Sequence, residues 1–429
     1  MTATSTKKVQ GLRYVTRFEC IGSRCEDTCC RGWEIFVDER HYFRLQKTLA
    51  ATPEGKADFA ASFQPRPPGA RDKQSYALLV LQEGKTCTFL TEDQLCRIHR
   101  DHGAEVLPNL CALYPRSLAK IGSRFELSTA TSCPEAARQL LLHEDACDIV
   151  DVSADILPRP DMAMTVPAST RDPWLGLFDV VRGSLYRGVR RRQYPVTSRL
   201  FQLASFAQEA LPFFHRGCGS DGSFAAQKMK FELQCLEDPA ILDEQHARFS
   251  ASAASSDVTL ALLARIFEAH LKENPTRPMA QLLGEVGLPT VADVHPTSLR
   301  AVLARTMPSL APDFLARAET WLENFCANVF LREWYTYSPD VVVYLQVIFV
   351  RLNLIRFFLY THPQTLAAHA LPDPVQRREA FDKVAVQVVY RVSRAVDHLL
   401  ELLQNIEKIL VEKQTQTLAY STLLLQLGA

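Results

Sequence analysis

The sequence predicts a mainly α-helical protein in which a cysteine-rich N-terminal module with a few short strands precedes a helical domain. Nine of the twelve cysteines lie within the first 147 residues. After residue 172, apolar residues recur every three or four positions, which is the spacing of a buried helix face. Prolines and small polar residues interrupt both patterns before that point. We therefore expect a cysteine-rich region at 1–150, a linker at 157–172 and a helical domain at 170–429.

The composition excludes some classes of partner. The chain has 48 acidic and 48 basic residues, so no net field attracts it to nucleic acid or to an anionic membrane. Any partner is therefore expected to be recognised locally. The first eleven residues contain no apolar run of the kind that a secretory signal needs, and we expect a cytoplasmic protein.

The most apolar stretch, Val341 to Tyr360, is long enough to cross a membrane. It contains the polar residues Gln346, Arg351, Asn353 and Arg356, which are costly where a helix faces lipid. We predict a buried core helix here rather than a membrane span.

The cysteine spacing points to metal binding or redox chemistry. Cytoplasmic reductants make a disulfide framework unexpected, and clustered thiols then indicate metal ligands. Small polar residues separate the cysteines between Cys20 and Cys30 and suit a loop that wraps a metal. Four thiolates complete either a zinc site or a four-iron cluster, and spacing alone does not choose between them. The predicted ligands are Cys20, Cys25, Cys29, Cys30, Cys87, Cys96, Cys111 and Cys133.

The other four cysteines lie outside this pattern. Free cysteine packs as a small apolar residue in protein cores. We expect plain buried thiols at Cys147, Cys218, Cys235 and Cys326.

Few elements are predicted in the cysteine-rich region. Leu12 to Phe18 and Phe125 to Thr129 have the composition of strands. The proline-rich segment from Phe63 to Arg71 is expected to be a flexible loop. Glu135 to His143 carries alanines and leucines at helical spacing and predicts a helix.

Apolar faces predict the elements of the helical domain. Asp172-Pro173 supplies an N-cap and a first-turn proline for one helix, and the spacing predicts others around Leu200 and Leu260. The longest face runs from Phe381 to Leu410 over about eight turns. We expect that helix to pack against Val341 to Tyr360.

Common catalytic motifs are missing. The chain has no Gly-x-Gly-x-x-Gly loop after a strand, no Walker loop, no Gly-x-Ser-x-Gly elbow and no His-Glu-x-x-His. The usual radical S-adenosylmethionine loop spaces its cysteines by three and then two residues, whereas Cys30 follows Cys29 directly. The residues alone therefore predict a metal site without a reaction.

Several blocks of sequence resemble the flagellin lysine-N-methylase family. The N-terminal blocks are specific and the C-terminal ones are weaker, and together they span most of the chain. They are Phe18–Trp33, Cys87–His99, Leu110–Arg116, Leu127–Ala137, Glu323–Phe325 and Tyr390–His398. The resemblance implies methyl transfer from S-adenosylmethionine to lysine side chains of flagellin, by a protein that holds a 4Fe–4S cluster.

The resemblance also suggests which residues act in the site. Arg116 is expected to pair with the carboxylate of the methyl donor, and Tyr114 to contact the donor's sulfonium group. Glu135 and Asp27 are candidates to attract the cationic lysine. The structural alternative is that Arg116 and Glu135 form an ion pair that braces the metal loops. His99 is either a partner of a ligand or a surface residue.

Two other functions remain open at this point. One is a non-enzymatic zinc- or iron-binding interaction protein, and the other is a redox sensor that uses exposed thiolates. A monomer is expected in each case. An arginine run of the helical domain is interpreted as a solvated helix C-terminus rather than an anion site, and it comprises Arg187, Arg190, Arg191 and Arg192.

Overall fold

The computed structural model describes residues 9–82, 86–157, 159–166, 176–215, 222–252, 257–273, 278–397 and 400–427. These residues form two compact units. The N-terminal unit contains the chain up to Ala136 together with Ile149–Thr165, and the helical unit contains Ala137–Asp148 and the chain from Val166 onward. The mainly helical fold class is confirmed.

The N-terminal unit contains all the strands that the structure describes. They are β1 (Val9–Leu12), β2 (Ile35–Val37), β3 (Phe63–Pro65), β4 (Ala77–Leu79), β5 (Leu81–Gln82), β6 (Thr86–Cys87), β7 (Arg116–Ile121), β8 (Arg124–Thr129), β9 (Ile149–Asp151) and β10 (Met164–Thr165). Its helices are α1 (Arg13–Arg17), α2 (Glu39–Leu49), α3 (Pro53–Ser62), α4 (Arg97–His102) and α5 (Asn109–Leu113). Helix α6 (Pro134–Leu141) begins in this unit and ends in the helical one.

A five-stranded sheet has the order β10-β7-β8-β1-β9. Strands β7 and β8 form a hairpin, and Gly122 provides the positive φ of 59° that its tight turn requires. The predicted strand at Phe125–Thr129 is confirmed by β8.

The predicted strand at Leu12–Phe18 is wrong for most of its length. The chain leaves β1 at Leu12 and turns into α1. The side chain of Tyr14 decides this, because the amide of Thr129 donates to the Tyr14 hydroxyl over 2.7 Å. A tertiary hydrogen bond thus overrides the local strand preference.

A three-stranded sheet of order β2-β4-β3 packs with α2 and α3 around a second core. The segment predicted as a flexible loop contributes β3, in which Phe63 is 3% exposed and pairs with Leu79. The loop prediction was wrong for Phe63–Pro65, because prolines are tolerated in an edge strand and β3 lies at the edge of this sheet.

The helical unit is built from thirteen helices over its described residues. They are α7 (Phe178–Val189), α8 (Val196–His215), α9 (Gly222–Cys235), α10 (Pro239–Ala251), α11 (Asp257–Glu273), α12 (Pro278–Glu285), α13 (Pro296–Thr306), α14 (Pro312–Arg332), α15 (Val341–Thr361), α16 (Pro363–His369), α17 (Pro374–Asp397), α18 (Leu400–Glu412) and α19 (Leu418–Leu425). The helices predicted around Leu200 and Leu260 are confirmed. Asp172-Pro173 lies outside the described residues.

Helix α15 is the central helix of this unit. Within the described residues, it alone has the length and hydropathy of a membrane span, and its most apolar stretch is wholly buried in the protein. Its polar side chains have partners on neighbouring elements: Gln346 donates to the carbonyl of Thr415 over 2.7 Å, and Asn353 donates to the carbonyl of Leu424. The predicted buried core helix is confirmed.

The long C-terminal helix predicted at Phe381–Leu410 is described as two helices, α17 and α18, with residues 398–399 outside the description. Both pack against α15, as expected.

The arginine run at the end of α7 is not simply solvated. Arg190 pairs with Asp148 at 2.8 Å, Arg191 with Glu237 at 2.8 Å, and Arg192 with the buried Glu323 at 2.9 Å. These contacts stay within the helical unit, to which the structure assigns residues 137–148. Residues 137–148 thus belong to the helical unit and not to the cysteine-rich region expected at 1–150.

Candidate metal centre

The cysteine loop after α1 is ordered by its own short-range hydrogen bonds. A turn of 3-10 helix at Gly22–Arg24 brings the amide of Cys25 within 3.1 Å of the Gly22 carbonyl. The amide of Cys30 donates to the Thr28 hydroxyl over 3.2 Å, and the Trp33 indole donates to the Cys29 carbonyl over 2.8 Å. These contacts fix the direction in which adjacent cysteines leave the backbone.

A second chain segment brings Cys87 and Cys96 to the same place. The amide of Cys87 donates to the carbonyl of Cys30 over 2.8 Å, which ties β6 to the cysteine loop. Between the two cysteines the chain turns back on itself, with Leu90 paired to Cys96. The amide of Phe89 donates to the sulfur of Cys87 over 3.4 Å, and backbone amides also donate to the sulfur of Cys96.

Five thiols form a first group: Cys29, Cys30, Cys87, Cys96 and Cys111. The Cys30 thiol hydrogen-bonds to Cys29, Cys87 and Cys96, and these bonds raise its pKa. The hydrogen bond that Cys30 donates to Cys87 lowers the pKa of Cys87, and the one to Cys96 lowers the pKa of Cys96 to about 6. Burial, followed by repulsion from Cys87, Cys96 and Cys29, raises the pKa of Cys111. The protonated Cys30 thus favours the thiolate form of Cys87 and Cys96, which is the form that binds metals.

The remaining predicted ligands adjoin this group. Burial, together with repulsion from Cys25 and Cys29, raises the pKa of Cys133 to about 12. Arg116 interacts electrostatically with Cys20 and Cys133. The second group is therefore Cys20, Cys25 and Cys133, with the guanidinium of Arg116 beside it.

The residues fit a cysteine-bound metal in their chemistry. Among the described residues, no three Cys, His, Asp or Glu side chains already stand in the arrangement of an ion-bound site. The mutual thiol hydrogen bonds nonetheless bring these sulfurs together, and backbone amides supply the sulfur hydrogen bonds that tune such centres.

Asp38 is a positioning residue that the sequence analysis missed. Its carboxylate caps α2 by accepting from the amide of His41 over 3.1 Å, and it accepts from the amide of Asn109 over 3.4 Å. Asn109 begins α5, the helix that carries Cys111. The sequence did contain a signal, since an aspartate just before an amphipathic helix marks an N-cap.

The predicted substrate and donor residues lie near the second thiol group. The Tyr114 hydroxyl is 3.2 Å from that of Ser132, and its ring packs on Trp33 with centroids 5.2 Å apart. The Arg116 guanidinium lies 5.0 Å from the centre of the Phe18 ring, and burial lowers its pKa.

The other predicted residues near the metal loops differ in exposure. Glu135 is buried and Asp27 is half-buried. Arg116 forms no ion pair with Glu135 in the described part of the chain, so the structural alternative for that pair is wrong. The side chain of His99 is exposed, while its backbone amide donates to the Cys96 sulfur.

The cysteines outside the pattern vary in burial. Cys147 and Cys326 are fully buried, and burial raises the pKa of Cys326 to about 12. Cys235 is half-buried at the end of α9, so its prediction as a buried thiol was only partly right. Cys218 lies outside the described residues.

The fold and the thiol groups define a two-unit helical protein with a cysteine-rich chelating module. Residues 19–148 match the CxxCxxCC family, described as a candidate zinc- or iron-chelating domain. Residues 185–424 match the FliB lysine N-methylase C-terminal domain. Because that match covers more than half of the chain, the protein belongs to the FliB lysine N-methylase family. The predicted resemblance is confirmed.

Curated relatives agree over a shorter span. The chain is 28% identical over 145 residues to a lysine-N-methylase of Salmonella typhimurium, covering 31% of this chain and 32% of that protein. The same figures hold for a lysine-N-methylase of Salmonella choleraesuis, so the match spans about a third of the length of these relatives. The flagellar biosynthetic protein FliU of Salmonella muenchen is 30% identical over 134 residues, covering 31% of this chain and 76% of that protein. No solved structure matches the chain.

Proposed function

We propose that the protein transfers methyl groups from S-adenosylmethionine to lysine side chains of flagellin and holds a cysteine-ligated 4Fe–4S cluster. Membership of the lysine N-methylase family is the observation that carries this proposal. The convergence of the predicted cysteines in one unit supports the metal centre. We further propose that the protein works as a monomer in the cytoplasm, where flagellin is made before export.

Methyl transfer to a lysine amine does not require a strong base. Methyl transfer needs a neutral lysine amine in line with the sulfonium methyl group, and positioning in a desolvated site supplies much of the rate. The donor supplies the electrophilic methyl group. In this proposal Arg116 binds its carboxylate, since the guanidinium lies over the Phe18 ring and beside the thiols of Cys20 and Cys133.

The other proposed residues would handle the lysine and the cluster. Tyr114 is fixed by Trp33 and Ser132, so its ring can present a stable face to a cation. Glu135 and Asp27 are proposed to attract the lysine ammonium group. Cys20, Cys25, Cys29, Cys30, Cys87, Cys96, Cys111 and Cys133 are the set from which the cluster ligands are drawn.

An assay of labelled methyl transfer to purified flagellin tests the proposal. The protein is purified anaerobically, and its iron and sulfide are measured in the same sample. We expect label on lysine that depends on the full chain and is lost with Arg116→Gln. No transfer by a protein with full metal content and measurable donor binding rejects the proposed activity.

A zinc-binding interaction protein is the second candidate. The observation in its favour is that one thiol, Cys30, hydrogen-bonds to three others. Such spacing suits four sulfurs at the corners of a tetrahedron around one zinc ion, where they are roughly 3.8 Å apart for Zn–S bonds of about 2.3 Å. Zinc without a visible absorption band, together with no donor binding, would favour this function over methylation.

A further inference from the structure

The eight predicted ligands of the N-terminal unit divide into two sets by whether they pack in its apolar core. Four of them pack in the core that the three-stranded sheet forms with α2 and α3, and this core set is Cys30, Cys87, Cys96 and Cys111. The other four are not part of that core within the described residues, and this outer set is Cys20, Cys25, Cys29 and Cys133. Packing alone therefore separates two sets of four thiols.

Cys29 has contacts in both sets. Its sulfur hydrogen-bonds with Cys30 of the core set, and it also interacts electrostatically with Cys133 of the outer set. A zinc ion or a four-iron cluster takes four thiolates. Cys29 is exposed whereas the adjacent Cys30 packs on the core. Cys29 is therefore assigned to the outer set, which gives four ligands to each set.

The core set is suited to a structural ion. Cys87 is 5% exposed, and Phe89, which packs in the same core, is 1% exposed. The set joins three segments of the chain, namely the cysteine loop, the turn between Cys87 and Cys96, and α5, which carries Cys111. The hydrogen bonds of Cys30 keep its sulfur close to those of Cys87 and Cys96, as ligands of one ion must be. A closed site of four thiolates is the usual form of structural zinc.

The outer set is open to solvent and lies beside an arginine. Cys20 and Cys29 are exposed, and the guanidinium of Arg116 interacts electrostatically with Cys20 and Cys133. The same guanidinium is the group proposed above to bind the carboxylate of the methyl donor. A cluster held by these four thiolates can therefore be approached by a small molecule from solvent.

Each set contains one sulfur that accepts two backbone amides. In the core set, Cys96 accepts from the amides two and three residues further along the chain. In the outer set, Cys133 accepts from the amides at the same two positions. Hydrogen bonds of this kind favour the thiolate and tune metal–sulfur centres. The two sets thus repeat one local arrangement, as two separate centres would.

We propose that the N-terminal unit holds two metal centres, a structural zinc ion on the core set and the iron–sulfur cluster on the outer set. The second assignment rests on the proposed function, which supplies the cluster. Among the described residues no three such side chains stand in ion-bound geometry. Binding therefore turns the sulfurs from their mutual hydrogen bonds towards the metal, which side-chain rotation allows.

Metal analysis of the full chain, purified anaerobically, tests the two centres. Zinc, iron and sulfide are measured in one sample together with the visible spectrum. We expect about one zinc and about four irons per chain. Cys111→Ser should lose well over half of the zinc and keep the iron, and Cys133→Ser should do the reverse. Cys235→Ser, outside both sets, is the matched control and should keep both metals.

Cys29→Ser is the sharpest variant, because the residue is exposed and its replacement should disturb the fold least. It should lose well over half of the iron and the visible band, and keep the zinc. Circular dichroism checks that each variant is folded. The two outer-set variants decide the division if Cys111→Ser is not folded.

Several outcomes overturn the inference. It fails if the wild type binds only one kind of metal, if Cys29→Ser loses zinc and keeps iron, or if Cys111→Ser and Cys133→Ser lose the same metal. A wild type with both metals in the expected sets but without methyl transfer rejects the proposed activity and keeps the two centres. Methyl transfer by a wild type with a single metal centre keeps the activity and rejects the two centres.

Discussion

Cys96 is the thiol best prepared to bind a metal. The hydrogen bond from Cys30 lowers its pKa to about 6, and the amides of His99 and Ile98 and the charge of Arg97 act in the same direction. The lowered pKa favours the thiolate of Cys96, which is the form that binds a metal.

Substitution at this residue should remove metal. Cys96→Ser should lower the iron or zinc bound per chain to well under half of the wild-type value, because a serine hydroxyl does not replace a thiolate ligand. Cys235→Ser, which alters a half-buried cysteine outside both thiol groups, should keep the wild-type content. Elemental analysis of folded samples gives the answer, and equal loss in the two variants would speak against the assignment.

Glu323 lies in one of the sequence blocks that resemble the family. In the structure its side chain is packed inside the helical unit. It is 1% exposed and accepts from Arg199 at 2.7 Å and from Arg192 at 2.9 Å. Its neighbour Asn324 donates to the carbonyls of Leu140 and His143 and so holds residues 137–148 on the helical unit.

Loss of the Glu323 charge should be strongly destabilising. Glu323→Gln leaves the buried Arg199 without its nearest carboxylate, and we expect a loss of about 3–5 kcal/mol in the free energy of unfolding. Glu237→Gln, at an exposed pair with Arg191, should change it by about 1 kcal/mol or less. Urea unfolding of both variants measures the difference, and similar small losses would contradict a buried ion pair.

At the scale of elements, α15 holds the helical unit together. Phe357 is fully buried and packs on Phe267 of α11 with ring centroids 5.5 Å apart. Truncation there leaves a cavity that its neighbours cannot fill.

Phe357→Ala should therefore lower the free energy of unfolding by about 3–5 kcal/mol. Val375→Ala removes a side chain that is 64% exposed and should change stability by about 0.5 kcal/mol or less. Thermal and urea unfolding of the two variants provide the comparison. A small effect at Phe357 would mean that α15 is not packed as described.

The end of α14 should respond to acid. Burial raises the pKa of Glu333, but the charges of Arg351 and Arg332 and their hydrogen bonds outweigh it, so the folded-state pKa is lowered. A lowered carboxylate pKa contributes stability that is present above the unfolded value of about 4.3 and is lost as the pH falls through the folded value. The difference in unfolding free energy between wild type and Glu333→Gln should therefore be largest above pH 5 or so and shrink towards about pH 3. A difference independent of pH would exclude this charge as its cause.

For the whole molecule, a metal bound to the cysteines should stabilise one unit more than the other. All eight predicted ligands belong to the N-terminal unit, and free energy from metal binding acts on the unit whose ligands it joins.

Hydrogen exchange before and after chelation measures this effect. Removing the metal should increase amide exchange at Cys25–Trp33 and Cys87–Leu113, while α15 keeps its protection. Equal increases in both units would show that the metal supports the whole chain.

The sequence itself determined the mainly helical class, the cysteine set and the burial of Val341–Thr361, because each depends on composition or periodicity along the chain. The sequence also contains the blocks that resemble the family. Only the tertiary structure decided that the chain turns into a helix at Arg13, and that Phe63–Pro65 forms an edge strand. Those outcomes depend on a hydrogen bond to Thr129 and on pairing with Leu79, partners distant in sequence that no local preference specifies.

The same distinction applies to the candidate site. Local spacing identified the thiols, but their grouping around Cys30 and the link from Asp38 to the helix of Cys111 require segments far apart in the chain to meet.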